Sequence, residues 1–376
     1  MINPGKFYNL LKQNGINFFT GVPDSLLKDF CAYVTDHTPC NMNIITANEG
    51  GAAALAAGRY LAAEEMSLVY MQNSGLGNIV NPLTSLIDPM VYSIPMLFLI
   101  GWRGEPGVKD EPQHVKQGKI TLELLKTLGV SCEILPQSME EAEESIKKAV
   151  QFMSDHKQPY ALVVSKNTFE PYSLQKKIET SFELSREQAI RLIISSLDPE
   201  EVIVSTTGQT SREVFEYREE IHDNHEKDFL TVGSMGHSSQ IALGIALAKP
   251  DKNIYCLDGD GALIMHMGSL AIIGEQSPHN LKHVVLNNGA HDSVGGQPTC
   301  GFHLDIPATA KACGYKTALQ AETREDVINK INQLKVSEGP SLLEIKVNKG
   351  ARKDLGRPTT TPIENKEAFM KFLSKS

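Results

Sequence analysis

The stretch Asn253-Ile-Tyr-Cys-Leu-Asp-Gly-Asp-Gly261, taken with His283-Val-Val-Leu-Asn-Asn288, decides the fold. The apolar runs 253–257 and 283–286 read as strands, and 262–276 between them reads as a helix. Together they make a β–α–β unit with a carboxylate ending one strand and an amide ending the next. Open parallel sheets bind ligands at the carboxyl ends of their strands. Asp and Asn oxygens there suit a hard cation such as Mg2+, and the free N–H groups of a helix starting just after Asp260 suit a phosphate. An EF-hand is excluded: a loop opening at Asp258 needs Asp or Asn fifth and Gly sixth, where Ala262 and Leu263 stand. A lone Gly-Asp-Gly reads equally well as a turn; the following helix and the Asn-Asn pair are what make it a site.

Working outward, strand-like runs alternate with helical patterns along the whole chain. The first half shows strands near 16–20, 43–47, 66–71, 94–100, 131–134 and 160–165, with helices near 4–14, 24–34, 49–64, 76–89, 119–128 and 138–154. Residues 166–184 lose the pattern and gain charge, and 169–184 is predicted to be a linker. The second half repeats the theme, with strands near 201–205, 228–232, 253–257, 283–287 and 341–347 and a last helix near 364–374. The expected fold class is α/β: two doubly wound, parallel-sheet domains, 1–168 and 185–376.

The 376 residues and their ordinary apolar content fit two sizeable cores. A net charge of −9 with no basic block argues against a nucleic-acid partner. The start carries no apolar signal core, and no apolar run is long enough to span a bilayer, so no membrane association and a cytoplasmic location are expected. The six cysteines form no Cys-x-x-Cys, which disfavours zinc or iron–sulfur chemistry and fits a reducing compartment.

With these residues in view, the chain resembles the thiamine-diphosphate-dependent enzymes. Gly259-Asp260-Gly261 followed by Asn287-Asn288 is similar to that family's metal and diphosphate motif. The resemblance implies that Asp260, Asn288 and the carbonyl of Ala290 hold Mg2+, with Gly259, Gly261 and Ala262 beside the thiamine diphosphate. It also implies a glutamate on the other domain to hold the cofactor's aminopyrimidine ring. Glu49, between a strand and the small-residue run Gly50-Gly51-Ala52-Ala53-Ala54, is the candidate. The other reading of Glu49 is a first-turn residue favoured by the helix dipole. Gly233-Ser234-Met235-Gly236-His237 is similar to the loop in which a bulky apolar residue wedges the cofactor into its bent form. Met235 would be the wedge, or else a core methionine. Thr206-Thr207-Gly208-Gln209 offers Thr207 and Gly208 to the diphosphate, or is an ordinary helix cap. Ser74-Gly75-Leu76-Gly77-Asn78 is a weak nucleotide fingerprint, since Val80 replaces the last Gly, but suits close packing near the pyrimidine.

A middle domain, usual in simple thiamine decarboxylases, has no room here. The compact form with Gly21-Val-Pro-Asp-Ser25, Asp110-Glu-Pro-Gln-His114, Gly295-Gly-Gln-Pro-Thr299 and Asp354-Leu-Gly-Arg-Pro-Thr-Thr-Thr-Pro362 resembles the phosphonopyruvate and sulfopyruvate decarboxylase group, the latter often split into two subunits. The resemblance implies decarboxylation of a small anionic 2-oxo acid. It also implies a homo-oligomer, at least a dimer, whose active sites are shared between subunits. Catalytic candidates are Glu49, His114 and Asp24; Ser25, Arg103 and His291 are candidates for binding the substrate. Arg103 and His114 lie in the Gly- and Pro-rich segment 101–119, where the bland reading is a solvated loop. Asp24 is also readable as the N-cap of helix 24–34, and His237 as a helix cap. The tail after Gly350 is expected to close over a cleft. A carboligase stays chemically open, as does a protein that binds the cofactor without catalysis.

Overall fold

The computed structural model describes residues 1–176 and 179–375. The chain separates into two compact units, Met1–Lys177 with Ser293–Gln297 and Ile178–Asp292 with Pro298–Ser376. Residues 177 and 178 of the expected linker and the terminal residue 376 lie outside the described residues.

In the first unit six strands form one parallel sheet: β1 (Phe18–Gly21), β2 (Asn43–Ile45), β3 (Ser67–Gln72), β4 (Leu97–Gly101), β5 (Ser131–Ile134) and β6 (Tyr160–Val164), in the order β2-β1-β3-β4-β6-β5. Each strand is short, and the central ones are apolar on both faces because helices cover both. In β4, Leu97 and Leu99 point into one core with Phe7, Phe30 and Ile146, while Phe98 and Ile100 point into the other with Ala53, Ile79 and Leu125. The helix Glu49–Ala63 is rich in alanine and glycine, which brings its backbone close to the sheet.

The second unit has β7 (Val202–Ser205), β8 (Asp228–Leu230), β9 (Ile254–Gly259), β10 (Leu281–Asn287), β11 (Thr317–Ala321) and β12 (Ser341–Lys346), ordered β11-β12-β10-β9-β7-β8 and again all parallel. Helices Arg186–Ser196, Gln209–Glu220 and Arg324–Val336 cover one face; Ser238–Ala248, Ser269–Gln276, Ile306–Ala312 and Pro362–Ser374 cover the other. In each sheet successive strands switch from one side of the first strand to the other between β1 and β3 and between β7 and β9, which is where such sheets open a ligand crevice. No helix among the described residues is long and apolar enough to cross a membrane.

Several expected elements differ. The helix expected at 24–34 starts only at Lys28, after Leu27, so Asp24 is not its N-cap. The Asp24 carboxylate instead accepts from the Leu26 N–H at 2.9 Å in the turn before the helix. The helix at 119–128 begins seven residues earlier, at Pro112, a residue suited to a first turn. The single helix expected at 262–276 is two, Asp260–Met265 and Ser269–Gln276, broken around Gly268. Strand β11 was not anticipated, being a half-exposed edge strand without an apolar run. The segment 169–175 is not a free connector: Phe169 is buried against Phe7 and Phe30, and Asp36 accepts from the Tyr172 hydroxyl at 3.0 Å. The last helix falls where it is expected, at Pro362–Ser374; Phe369 is 3% exposed in the second core and Asn365 bridges β8 through Leu230 N and Asp228 O.

Candidate active site

In the first unit, functional side chains gather at the carboxyl ends of β1, β3 and β4 and at the start of the helix after β2. Glu49 is the first residue of that helix; Asn48 caps it, accepting from Gly51 N–H at 2.9 Å. Glu49 is therefore released from capping. Its Oε2 accepts from Asn78 Nδ2 at 2.6 Å, and it is 5% exposed. Gly75 makes room for it: a Cβ there would stand 2.5 Å from Glu49 Cγ and Oε1. The loop Ser74–Asn78 is thus the wall against which Glu49 lies.

A second group surrounds Asp110. Its carboxylate accepts from Arg103 Nε at 2.8 Å, Arg103 Nη2 at 2.5 Å, Gly104 N at 2.8 Å, Glu111 N at 2.7 Å and His114 Nδ1 at 3.0 Å. Burial alone would raise its pKa, but the hydrogen bonds from Arg103, His114 and the two backbone groups hold it well below the ordinary carboxylate value. An ionised carboxylate only accepts, so His114 carries its proton on Nδ1 and leaves Nε2 open when neutral. Arg103 Nη1 donates to Ser25 Oγ at 2.8 Å. Three of the five guanidinium N–H groups are then engaged, and one remains on each Nη. Asp110 already takes Nε and one Nη2 N–H of Arg103, so an anion would meet the remaining pair.

Asp24 is fully buried, with Oδ1 accepting from Leu26 N and Oδ2 from Gln72 Nε2 at 2.8 Å. It bridges β1 and β3 at the point where the sheet reverses, and Gly101 at the end of β4 leaves it room, since a Cβ there would be 2.1 Å from Oδ1. Both oxygens are occupied, which fits a carboxylate that fixes loops.

The second unit holds the phosphate-type and metal-type residues. Gly208 has φ +93, open to glycine, and precedes the helix Gln209–Glu220, so its loop turns sharply into a helix N-terminus, with Thr207 beside it. In the loop after β8, Ser234 has φ 54 and follows Gly233; Gly236 approaches Ala262 O so closely that a Cβ would lie 3.0 Å away. Met235 Cε and the His291 ring both stand over Gly261, 3.5 and 3.2 Å from where its Cβ would be. Met235, His291 and the Gly259–Ala262 turn are thereby brought together. Burial pushes His291 down to about 4, so its ring is neutral at physiological pH. His237 is exposed and makes no side-chain cap; its ring lies 4.4 Å from that of His266.

Asp260 is 2% exposed, its Oδ2 accepting from Thr299 Oγ1 and its Oδ1 lying 3.4 Å from Asn288 N. Burial pushes it up to about 6 despite hydrogen bonds from Thr299 and backbone N–H groups. Asn287 is structural: Nδ2 donates to Gly301 O and Glu344 Oε1, and Oδ1 accepts from Gly289 N. Asn288 Nδ2 donates to Asp292 Oδ2 at 2.7 Å, and Oδ1 accepts from Ala290 N at 3.1 Å. A carboxylate, an amide oxygen and a main-chain carbonyl are hard oxygen donors, and a carboxylate whose charge burial disfavours would gain from a divalent cation; these residues fit Mg2+.

Sequence reading placed Asp292, just after the metal loop, as a residue lining the same cavity, but assigned no role to Gln72, Asn78, Asp110 or Thr299. Asn78, Asp110 and Thr299 lay inside quoted motifs, and Asp110 stands four residues before His114; Gln72 is recognisable only from its partner in space.

Models of the thiamine pyrophosphate enzymes match twice: the N-terminal TPP binding domain over residues 6–125 and the C-terminal TPP binding domain over residues 206–345. The chain is 33% identical over 375 residues to a phosphonopyruvate decarboxylase of Streptomyces viridochromogenes, covering 96% of this chain and 92% of that one. It is 32% identical over 376 residues to one from Streptomyces hygroscopicus (96% and 91% covered). A sulfopyruvate decarboxylase of Methanosarcina acetivorans is 27% identical over 396 residues (99% and 97% covered). The chain belongs to the thiamine pyrophosphate enzymes, and within them to the family that contains these phosphonopyruvate decarboxylases.

Proposed function

We propose that the protein catalyses the non-oxidative decarboxylation of 3-phosphonopyruvate to phosphonoacetaldehyde and CO2, with thiamine diphosphate and Mg2+. The observation that carries this reading is full-length similarity to two phosphonopyruvate decarboxylases, higher than to the sulfopyruvate enzyme. When bound, the cofactor's thiazolium ring supplies the electron sink that lets CO2 leave. Asp260, Asn288 and the Ala290 carbonyl would hold Mg2+, and the Gly208 turn and the Gly259–Ala262 turn would face the diphosphate. Met235 would press against the cofactor. Glu49, steadied at Oε2 by Asn78, keeps Oε1 free to exchange a proton with the aminopyrimidine. His114, oriented through Nδ1 by Asp110, would deliver or accept a proton at Nε2 beside the reacting carbon. Arg103 would present its two remaining N–H groups to the phosphonate, with Ser25 beside it. Asp24 would hold these loops, and His291, neutral, would line the cavity over Gly261.

In this reading the first domain binds the pyrimidine, the second the diphosphate, and the enzyme is a cytoplasmic homo-oligomer. A complete site would need two subunits, as the family resemblance implies. CO2 release from a panel of 2-oxo acids, with and without thiamine diphosphate and Mg2+, tests the reading. Phosphonopyruvate should give the highest kcat/KM and sulfopyruvate a lower one; the reverse order would favour the sulfonate substrate. Glu49→Gln should retain cofactor binding while turnover falls at least ~100-fold, the scale of proton-transfer catalysis. Unchanged turnover would remove Glu49 from the mechanism.

A further inference from the structure

We propose that Asp292 is a positioning residue that fixes the Asn288 amide with its oxygen towards the cation. The inference rests on the reading of Asp260 and Asn288 as the metal site. An asparagine is a metal ligand only through its oxygen, and its amide is nearly symmetrical in shape, so something must decide which end faces the ion. Asn288 Nδ2 donates to Asp292 Oδ2 at 2.7 Å. An ionised carboxylate has no proton to give, so the end facing Asp292 is the nitrogen and the other end is Oδ1, the same assignment that the Ala290 N–H makes at 3.1 Å. The same charge-assisted bond polarises the amide and raises the donor strength of that oxygen.

Asp292 is itself held from two directions. Gly350 N, in the chain leaving β12, donates to Oδ2 at 2.8 Å, and Arg186 Nη1 lies 3.5 Å from the same oxygen. Arg186 cannot swing away: Glu213 takes its Nε and Nη2 at 2.8 Å each, and Gln209 Oε1 takes Nη2 at 2.8 Å. The Arg186 and Asp292 side chains are 7% and 8% exposed, so water competes little for these bonds. Arg186, Glu213 and Asp292 together carry one net negative charge, which favours a cation beside Asn288. The start of the C-terminal segment and the helix Arg186–Ser196 are thus wired to the ligand loop through one carboxylate.

The test is the Mg2+ dependence of thiamine diphosphate binding, measured by calorimetry on the full-length protein, with melting temperature recorded without cofactor. Asp292→Ala should raise the Mg2+ concentration for half-maximal binding about 10- to 100-fold, the range for an outer partner of a metal ligand. Asp292→Asn, which keeps an oxygen acceptor, should fall between it and wild type. Asn288→Asp should weaken binding alone, because it sets two carboxylates face to face. In the Asp292→Ala background it should restore binding to within about threefold of wild type, since a carboxylate has no wrong end and returns the lost charge. Unchanged Mg2+ dependence in Asp292→Ala, or no rescue by the second substitution, would overturn the proposal. Failure of the metal reading looks different: Asp260→Ala would then bind the cofactor with normal Mg2+ dependence, and both ideas would fall.

Discussion

Gly75→Ala probes the seat of Glu49 without touching Glu49. Gly75 has φ −68 and ψ −15, so alanine suits its backbone. The new Cβ, however, would lie 2.5 Å from Glu49 Cγ and Oε1 and 2.6 Å from Cδ. Ordinary carbon contacts begin near 3.4 Å, leaving a deficit of about 0.9 Å. Glu49 can yield only by leaving its 2.6 Å bond to Asn78, because its backbone is pinned as the first residue of a capped helix. A displacement of ~1 Å at a proton-transferring group costs on the order of 100-fold in rate. Overpacking by one methyl costs ~1–3 kcal/mol, partly offset by ~0.4–1 kcal/mol from reduced unfolded-state freedom. The expectation is a stable protein with near-normal cofactor affinity and kcat reduced about 100-fold, read by coupled reduction of the aldehyde product. Turnover within about threefold of wild type, with the melting temperature unchanged, would refute the reasoning about how Glu49 is held.

Three further outcomes are expected. Gly301→Ala would place a Cβ 2.6 Å from Asp260 Oδ2 and 2.7 Å from Asn287 Oδ1; Mg2+ affinity should fall at least ~10-fold, as titration of cofactor binding would show. Asp110→Asn should cost about 2 kcal/mol or more, the worth of a hydrogen bond to a charged group, and should lower kcat/KM by loosening Arg103 and His114. Because the native pKa of Asp110 lies well below its ordinary 3.8, its stabilisation is complete above that value and is lost progressively as pH falls from there through the native one. The cost of Asp110→Asn in urea melts should therefore shrink as the pH is taken below 3.8, and a cost that does not shrink there would contradict the assignment. Phe369→Ala should destabilise the protein by about 3 kcal/mol or more, measured by thermal melting; a negligible change would mean the terminal helix does not serve the second core.

Much of the site was legible because its residues carry chemistry at strand ends. Asp260 after β9, Asn288 after β10 and Glu49 after β2 stand where a doubly wound sheet places ligands, and period and punctuation located those strands to within a few residues. The failures have specific physical causes. Asp24 after a proline looked like a helix cap, but its carboxylate is spent on Leu26 and on Gln72 from a strand distant in sequence. β11 escaped because an edge strand needs no continuous apolar run. Arg103 read as a free cation because a linear sequence does not show that Asp110 folds back on it. The Gly75–Glu49 contact is tertiary, and no local pattern announces it; the Asp292–Asn288 bond is local, but the short loop after β10 gives no periodic signal for it.

Subtracting six from each strand number of the second sheet turns β8-β7-β9-β10-β12-β11 into β2-β1-β3-β4-β6-β5, the order of the first. The same wiring diagram is therefore used twice, and equivalent loops carry unlike equipment. After the first strand one copy has the acid Asp24 and the other the uncharged Thr206-Thr207-Gly208; after the second, one has Glu49 and the other Met235. Such a division of labour between two self-contained copies makes the chain a modular pair, in which each half keeps its own hydrophobic interior. Severing the chain near residue 178 and co-expressing the pieces would leave every backbone hydrogen bond of both sheets intact, and so would change covalent continuity without rewriting either scaffold.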